Sequence, residues 1–103
     1  MNVMFSKQEK YAIVSVLIKI MEADGIIDPH EVEFLDGVLV DLNISEQEME
    51  IIQEYDFGQD TAIIRQLSVE KLKIAKQLFT NMAESDGYSD PRELEIINTL
   101  GAL

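Results

Sequence analysis

The fold is decided by the stretch Glu22-Ala-Asp-Gly-Ile-Ile-Asp-Pro-His-Glu-Val-Glu33, which returns later as Glu84-Ser-Asp-Gly-Tyr-Ser-Asp-Pro-Arg-Glu-Leu-Glu95. Seven of the twelve positions are identical, and the two copies lie 62 residues apart. Each copy contains a glycine, which can end a helix in the left-handed conformation, and an Asp-Pro pair, which can start the next helix. The repeat therefore predicts two helix–turn–helix units in related positions, arranged about a pseudo-twofold axis.

Most residues of each turn have a structural role. In the first copy, Gly25 is predicted to follow the end of a helix, Asp28 to cap the next helix, and Glu31 to reach back to that cap. Gly87, Asp90 and Glu93 have the same predicted roles in the second copy. The first aspartate of each motif, Asp24 or Asp86, is different, because an acidic side chain is unfavourable at the negative end of a helix. An Asx-type turn is one local role for it, and ligation of a cation is another.

The segment before the first turn predicts a helix from about Lys7 to Ala23. Between residues 12 and 21 only Ser15 and Lys19 interrupt its apolar character, which is typical of a helix at the centre of a bundle. Ser6-Lys-Gln-Glu9 is a capping box, in which the serine hydroxyl and the glutamate carboxylate accept each other's backbone N–H groups.

The remaining sequence predicts further helices and no strand, because no segment shows sustained alternation of apolar and polar residues. Tyr55–Gln59 is predicted to be a break, with Gly58 as its turn residue. The other helices are expected after Asp28 with a cap at Asn43, from the Ser45-Glu-Gln-Glu48 capping box, from Asp60 to about Gln66, after Ser68 to about Ser85, and from Asp90, with Leu94, Ile97 and Leu100 facing inward. The predicted fold is all-α, a compact bundle of about six helices in one domain, 1–103.

The charge balance limits the classes of partner. Eight basic and twenty acidic residues give a net charge of −12, which repels nucleic acid and anionic lipid. We expect the partner to be another protein with a basic surface, although acidic charge also serves solubility alone. There is no cysteine, so disulfides and thiolate zinc sites are excluded. No apolar stretch is long enough for membrane insertion, and a cytoplasmic location is expected.

The repeated carboxylates are candidate ligands for a divalent cation. They offer the hard oxygen atoms that calcium and magnesium prefer, and no other cofactor is indicated. The motif is not an EF-hand, because Pro29 and Leu35 occupy the positions where an EF-hand needs Gly and Glu. The six candidates are Asp24, Asp28 and Glu31 in the first copy and Asp86, Asp90 and Glu93 in the second.

The two motifs, the long apolar helix before the first and the closing Leu100-Gly-Ala-Leu103 resemble the TerB-like family, which contains the tellurite-resistance TerB proteins and their relatives. The resemblance covers essentially the whole chain. It implies a compact bundle of about six or seven helices with internal pseudosymmetry, a link to stress and metal resistance, and acidic positions suspected of binding divalent cations. Because the chain ends soon after the second motif, the final helix of longer relatives is not expected here.

Three functional interpretations follow. The turns either only cap helices, which explains Asp28 and Glu31 without a ligand, or bind a cation, which gains support if the fold brings both turns together. The alternative is a protein–protein interaction module without a metal role. Catalysis is not expected, because His30 is the only histidine and no nucleophile triad, phosphate-binding loop or zinc-binding His pair is present.

Overall fold

A central helix, α1 (Lys7–Glu22), organises the computed structural model, which describes residues 5–23, 25, 28–85 and 91–101. These residues form six helices and no strand, and α1 contacts each of the other five. The others are α2 (Pro29–Asp41), α3 (Glu46–Ile52), α4 (Phe57–Arg65), α5 (Val69–Glu84) and α6 (Pro91–Gly101). The predicted all-α bundle is confirmed.

The core lies around α1, as its apolar sequence predicts. Ile13, Leu17 and Ile20 have no exposed surface, and Phe79 of α5 packs in the same cluster with none. Burying each such side chain contributes about 1.5–3 kcal/mol, so this helix carries a large share of the stabilising burial. The buried residues of α1 are Tyr11, Ala12, Ile13, Val14, Ser15, Val16, Leu17, Ile20 and Met21.

Both predicted capping boxes form. Ser6 Oγ accepts from the Glu9 N–H at 3.2 Å, and Glu9 Oε1 accepts from the Ser6 N–H at 2.7 Å. At the start of α3, Ser45 and Glu48 make the same reciprocal pair at 3.2 and 3.0 Å. Ser68 caps α5 by accepting from the Lys71 N–H at 3.2 Å. Local sequence therefore sets these helix starts.

The predicted start of the fourth helix is wrong. A break over 55–59 and a helix from Asp60 were expected, but α4 begins at Phe57 and Gly58 lies inside it. The reason is Asp56, whose carboxylate accepts from the Gln59 N–H at 2.7 Å and caps the helix three residues before Asp60. Asp60 is therefore an interior helical residue, and it is fully buried.

Two residues adopt the left-handed backbone that ends a helix. Gly25 has φ +75°, as predicted, although it follows the cap residue Ala23 by two positions rather than one. Asn43 has φ 57° directly after Leu42, the cap residue of α2. Asparagine tolerates this conformation better than most residues, so Asn43 ends α2 from the position after the cap, one residue beyond the role predicted for it. The equivalent glycine, Gly87, lies outside the described residues.

The internal repeat extends well beyond the twelve-residue motif. Helices α1 and α5 both have 16 residues, and their first residues, Lys7 and Val69, are related by the same offset as the two turns. Lys71 Nζ donates to Glu9 Oε1 at 2.9 Å, and these two residues are separated by 62 positions. Contact between equivalent positions is what a pseudo-twofold axis between the two units produces. The buried residues Ala75, Phe79, Met82 and Ala83 of α5 correspond to the buried Ile13, Leu17, Ile20 and Met21 of α1.

Candidate functional site

Asp28, one of the six predicted ligands, is engaged by the helix that it caps. Its Oδ1 accepts from the His30 N–H at 2.8 Å and lies 3.1 Å from Nδ1 of the His30 ring. The backbone hydrogen bond from His30 is the main reason why the pKa of Asp28 lies below its usual value. The carboxylate is thus held ionised at the positive end of α2, and its Oδ1 is already used.

Glu31, the second predicted ligand, is buried rather than solvated. It lies in the first turn of α2 with only 3% of its surface exposed. Glutamate is rarely buried to this extent, and a carboxylate in such a position is normally held by hydrogen bonds or opposite charge. Glu31 therefore lies on the packed side of α2, unlike its exposed neighbour Glu33.

The other four predicted ligands cannot be assigned a geometry. Asp24, Asp86 and Asp90 lie outside the described residues, and Glu93 lies in α6 with a side chain that is not described. Within the described ranges, no group of three or more His, Asp or Glu side chains is arranged to hold a metal ion. The structure therefore describes Asp28 and Glu31 singly and does not test the predicted site as a set.

A groove lies between the beginning of α2 and the end of α5, with a volume of about 520 Å³. Helix α2 follows the first acidic turn directly, and Ser85, at the end of α5, immediately precedes Asp86 of the second turn. The described part of each motif next to its turn, at the start of α2 and at the end of α5, therefore lines one groove. Its described lining is His30, Glu33, Phe34, Asn81, Glu84 and Ser85.

The groove combines negative charge with an aromatic surface. Glu33 on α2 and Glu84 on α5 are both exposed, and neither makes a hydrogen bond or an ion pair with the described residues. Phe34 is partly buried because it packs against the core, and its remaining surface lines the groove. No lysine or arginine is among the described lining residues, so none of them supplies a permanent positive charge beside the two carboxylates.

A buried polar cluster joins α1 to α4 elsewhere in the bundle. Asp60 Oδ2 accepts from Ser15 Oγ at 2.7 Å and from Lys19 Nζ at 3.0 Å. Lys19 Nζ also donates to Ser15 Oγ at 2.6 Å and to the Tyr55 carbonyl at 3.0 Å. Burial is the largest effect on Asp60 and raises its pKa, although both hydrogen bonds act in the opposite direction.

This cluster has the chemistry of a structural link. The three acceptors around Lys19 Nζ use all three N–H groups of its ammonium, so none remains for an anionic ligand. Because Lys19 donates to Ser15, it is not a base that could activate the hydroxyl. The sequence contained one signal for the cluster, since Ser15 and Lys19 are four residues apart in an apolar helix and thus share a face. The sequence carried no signal for Asp60, because an aspartate predicted at the start of a helix is expected to be exposed.

Comparisons of the chain with models of protein families, with curated proteins and with solved structures find no match. The resemblance to TerB-like proteins therefore stays a prediction. None of the helices in the described ranges has the length and apolar character needed to cross a membrane.

Proposed function

We propose that this chain is a non-enzymatic acidic domain, resembling the TerB-like stress and tellurite-resistance proteins, that binds a divalent cation through its two repeated turns. Calcium or magnesium is the proposed ion. The observation that supports the proposal is the common groove, which the start of α2 and the end of α5 line together. The first motif leads into α2 and the second begins at the end of α5, so the two helix ends that line the groove are also those that carry the repeated sequence.

A cation would offset the unfavourable negative charge of the two turns. Asp24 and Asp86 follow the ends of helices, where a negative side chain is unfavourable, and nearby carboxylates repel one another further. A bound cation would relieve both costs. Asp28 already uses Oδ1 in capping α2, so an ion would be bound through its other carboxylate oxygen. The proposed ligands remain Asp24, Asp28, Glu31, Asp86, Asp90 and Glu93.

Thermal unfolding with added calcium or magnesium tests this function. A ligand at about 100 times its dissociation constant stabilises the native state by about 2.7 kcal/mol, which raises the melting temperature of a domain of this size by roughly ten degrees or more. We expect a dose-dependent rise that Asp24→Asn combined with Asp86→Asn abolishes. The matched control is Asp36→Asn with Asp41→Asn, which removes two exposed charges from α2 and should keep the rise. No rise at millimolar calcium or magnesium contradicts the proposal.

A protein–protein interaction module is the second candidate function. It is favoured by Glu33 and Glu84, the two exposed carboxylates that face the groove without a partner among the described residues. Together with a net charge of −12, they suit a basic protein surface. This function predicts that metal ions leave the melting temperature unchanged, while salt weakens binding of a basic partner.

A further inference from the structure

The α2–α5 groove differs in its chemistry from a metal site. Its two carboxylates, Glu33 and Glu84, come from different helices. No third acidic or histidine side chain of the described residues joins them in a ligand cage. A small ion needs several oxygen atoms around one point, whereas two carboxylates on different helices can each accept from the several N–H groups of an extended cation. The described lining of the groove is therefore distinct from the six metal ligands proposed in the turns, and it suits an organic cation.

The aromatic surface narrows the class of cation. Phe34 lines the same groove as the two glutamates and packs against the core. A guanidinium group stacks on an aromatic face and can donate to two carboxylates from its planar fork. An ammonium is a compact and strongly hydrated charge that gains less from such a surface. The volume of about 520 Å³ accommodates a long side chain with its neighbouring backbone.

We propose that the α2–α5 groove binds an arginine side chain from a basic segment of a partner protein. The guanidinium lies over Phe34, and Glu33 and Glu84 accept its N–H groups from the two sides. Charge complementarity supports this occupant, because the described lining is acidic and the whole chain carries −12. The inference rests on the second candidate function and names the chemistry of its partner. It is independent of whether the turns hold a metal ion.

The test is a nuclear magnetic resonance titration of the full ¹⁵N-labelled chain with the peptide acetyl-Gly-Gly-Arg-Gly-Gly-amide, in the presence of a chelator and at about 20 mM salt, where screening is weak. We expect a dissociation constant on the order of 1 mM, since one side chain makes few contacts. The shifted amides should cluster at the start of α2 and the end of α5. A peptide with citrulline in place of arginine has the same shape without the charge and should produce no shifts. A lysine peptide should bind several-fold more weakly.

Variants separate the groove from the general acidity of the surface. Glu33→Gln with Glu84→Gln should weaken arginine binding at least fivefold. Glu50→Gln with Glu54→Gln removes the same charge from exposed positions around the end of α3 and should leave the binding unchanged. Phe34→Leu should reduce the preference for arginine over lysine. Because the two groove glutamates are exposed, their double variant should fold even if the change at Phe34 disturbs the core.

Different outcomes overturn different conclusions. If the peptide binds but its shifts lie elsewhere and survive Glu33→Gln with Glu84→Gln, the groove assignment is wrong and an interaction role remains. If neither the arginine nor the lysine peptide shifts any amide, recognition of a basic partner is wrong as well. If Glu33→Gln with Glu84→Gln and the control pair at Glu50 and Glu54 weaken binding of the arginine peptide equally, the binding depends only on net charge. That result would overturn the proposal.

Discussion

Single residues show which parts of the first turn depend on backbone geometry and which on packing. Gly25 adopts φ +75° and its N–H donates to the Glu22 carbonyl at 3.0 Å. A Cβ atom built at Gly25 meets nothing within 4 Å, so the requirement for glycine is conformational alone. Gly25 and the cap Asp28 were predictable, because both follow from local chemistry. The burial of Glu31 was not, because it depends on how α2 packs against the rest of the fold.

Gly25→Ala should destabilise the domain by about 1 kcal/mol, since a left-handed backbone costs an L-residue with a Cβ roughly that much. Gly25→Asn should cost less, because asparagine tolerates this conformation. The matched control is Gly37→Ala in α2, where an added Cβ also meets nothing, and which should stabilise by about 0.5–1 kcal/mol through helix propensity. Urea unfolding measures both, and changes of the same sign would contradict the argument.

At the scale of helices, capping residues predicted most of the described starts, with α4 as the exception. The starts of α1, α2, α3 and α5 follow from capping side chains, and all were located correctly. Asp56-Phe-Gly-Gln59 has a capping residue and a glutamine at the favoured spacing, but Gly58 favours a break in the same stretch, and in the structure the cap at Asp56 prevails. The contact between α1 and α4 was not predictable, since it depends on Asp60 meeting Ser15 and Lys19 across 45 and 41 positions.

Asp60 should hold α4 to α1 through charge as well as packing. Asp60→Ala leaves the Lys19 ammonium beside a fully buried site without its counter-charge, so we expect a loss of about 3 kcal/mol in the free energy of unfolding. Adding Lys19→Met removes that stranded charge, and the double variant should be at least as stable as Asp60→Ala alone. If the two side chains contributed to stability independently, the double variant would be less stable than Asp60→Ala. Chemical denaturation of the parent protein and of both variants would reveal which order holds.

The contact between α1 and α3 should depend on pH through Glu48. Hydrogen bonds from the Ser45 N–H and then from Tyr11 Oη, at 2.7 Å, hold the pKa of Glu48 below its usual value of 4.5. The stabilisation is therefore present above pH 4.5 and lost as the pH falls through the lower, folded-state value. Glu48→Gln should be less stable than the parent protein at pH 7, and the difference should shrink on acidification. A difference that stays constant from pH 7 to about pH 3 would contradict this assignment.

The whole molecule is organised by the internal repeat, and the sequence predicted this level best. An identity of seven residues in twelve was enough to relate the units, and the matched lengths of α1 and α5 extend the relation to whole helices. The units differ in what covers them, because α1 is buried on nearly all sides and α5 mainly through Ala75, Phe79, Met82 and Ala83. The sequence alone could not predict that α2 and α5 line one groove, because that depends on how the two helices pack.

The net charge of −12 gives the last prediction, because exposed carboxylates repel one another in the folded state. Potassium chloride raised from about 10 to about 150 mM shortens the screening length from about 30 to about 8 Å, so the melting temperature should rise gradually by a few degrees. Choline chloride should act equally, since screening does not depend on the ion. Glu50→Gln with Glu54→Gln should raise the melting temperature at low salt and flatten the salt response.

About 2 mM calcium chloride adds only about 6 mM of ionic strength. A rise in melting temperature larger than the rise in potassium chloride of the same ionic strength therefore requires a binding site. If the melting temperatures in calcium chloride and in potassium chloride fall on one curve when plotted against ionic strength, screening explains the whole effect. That result would contradict the proposed cation site.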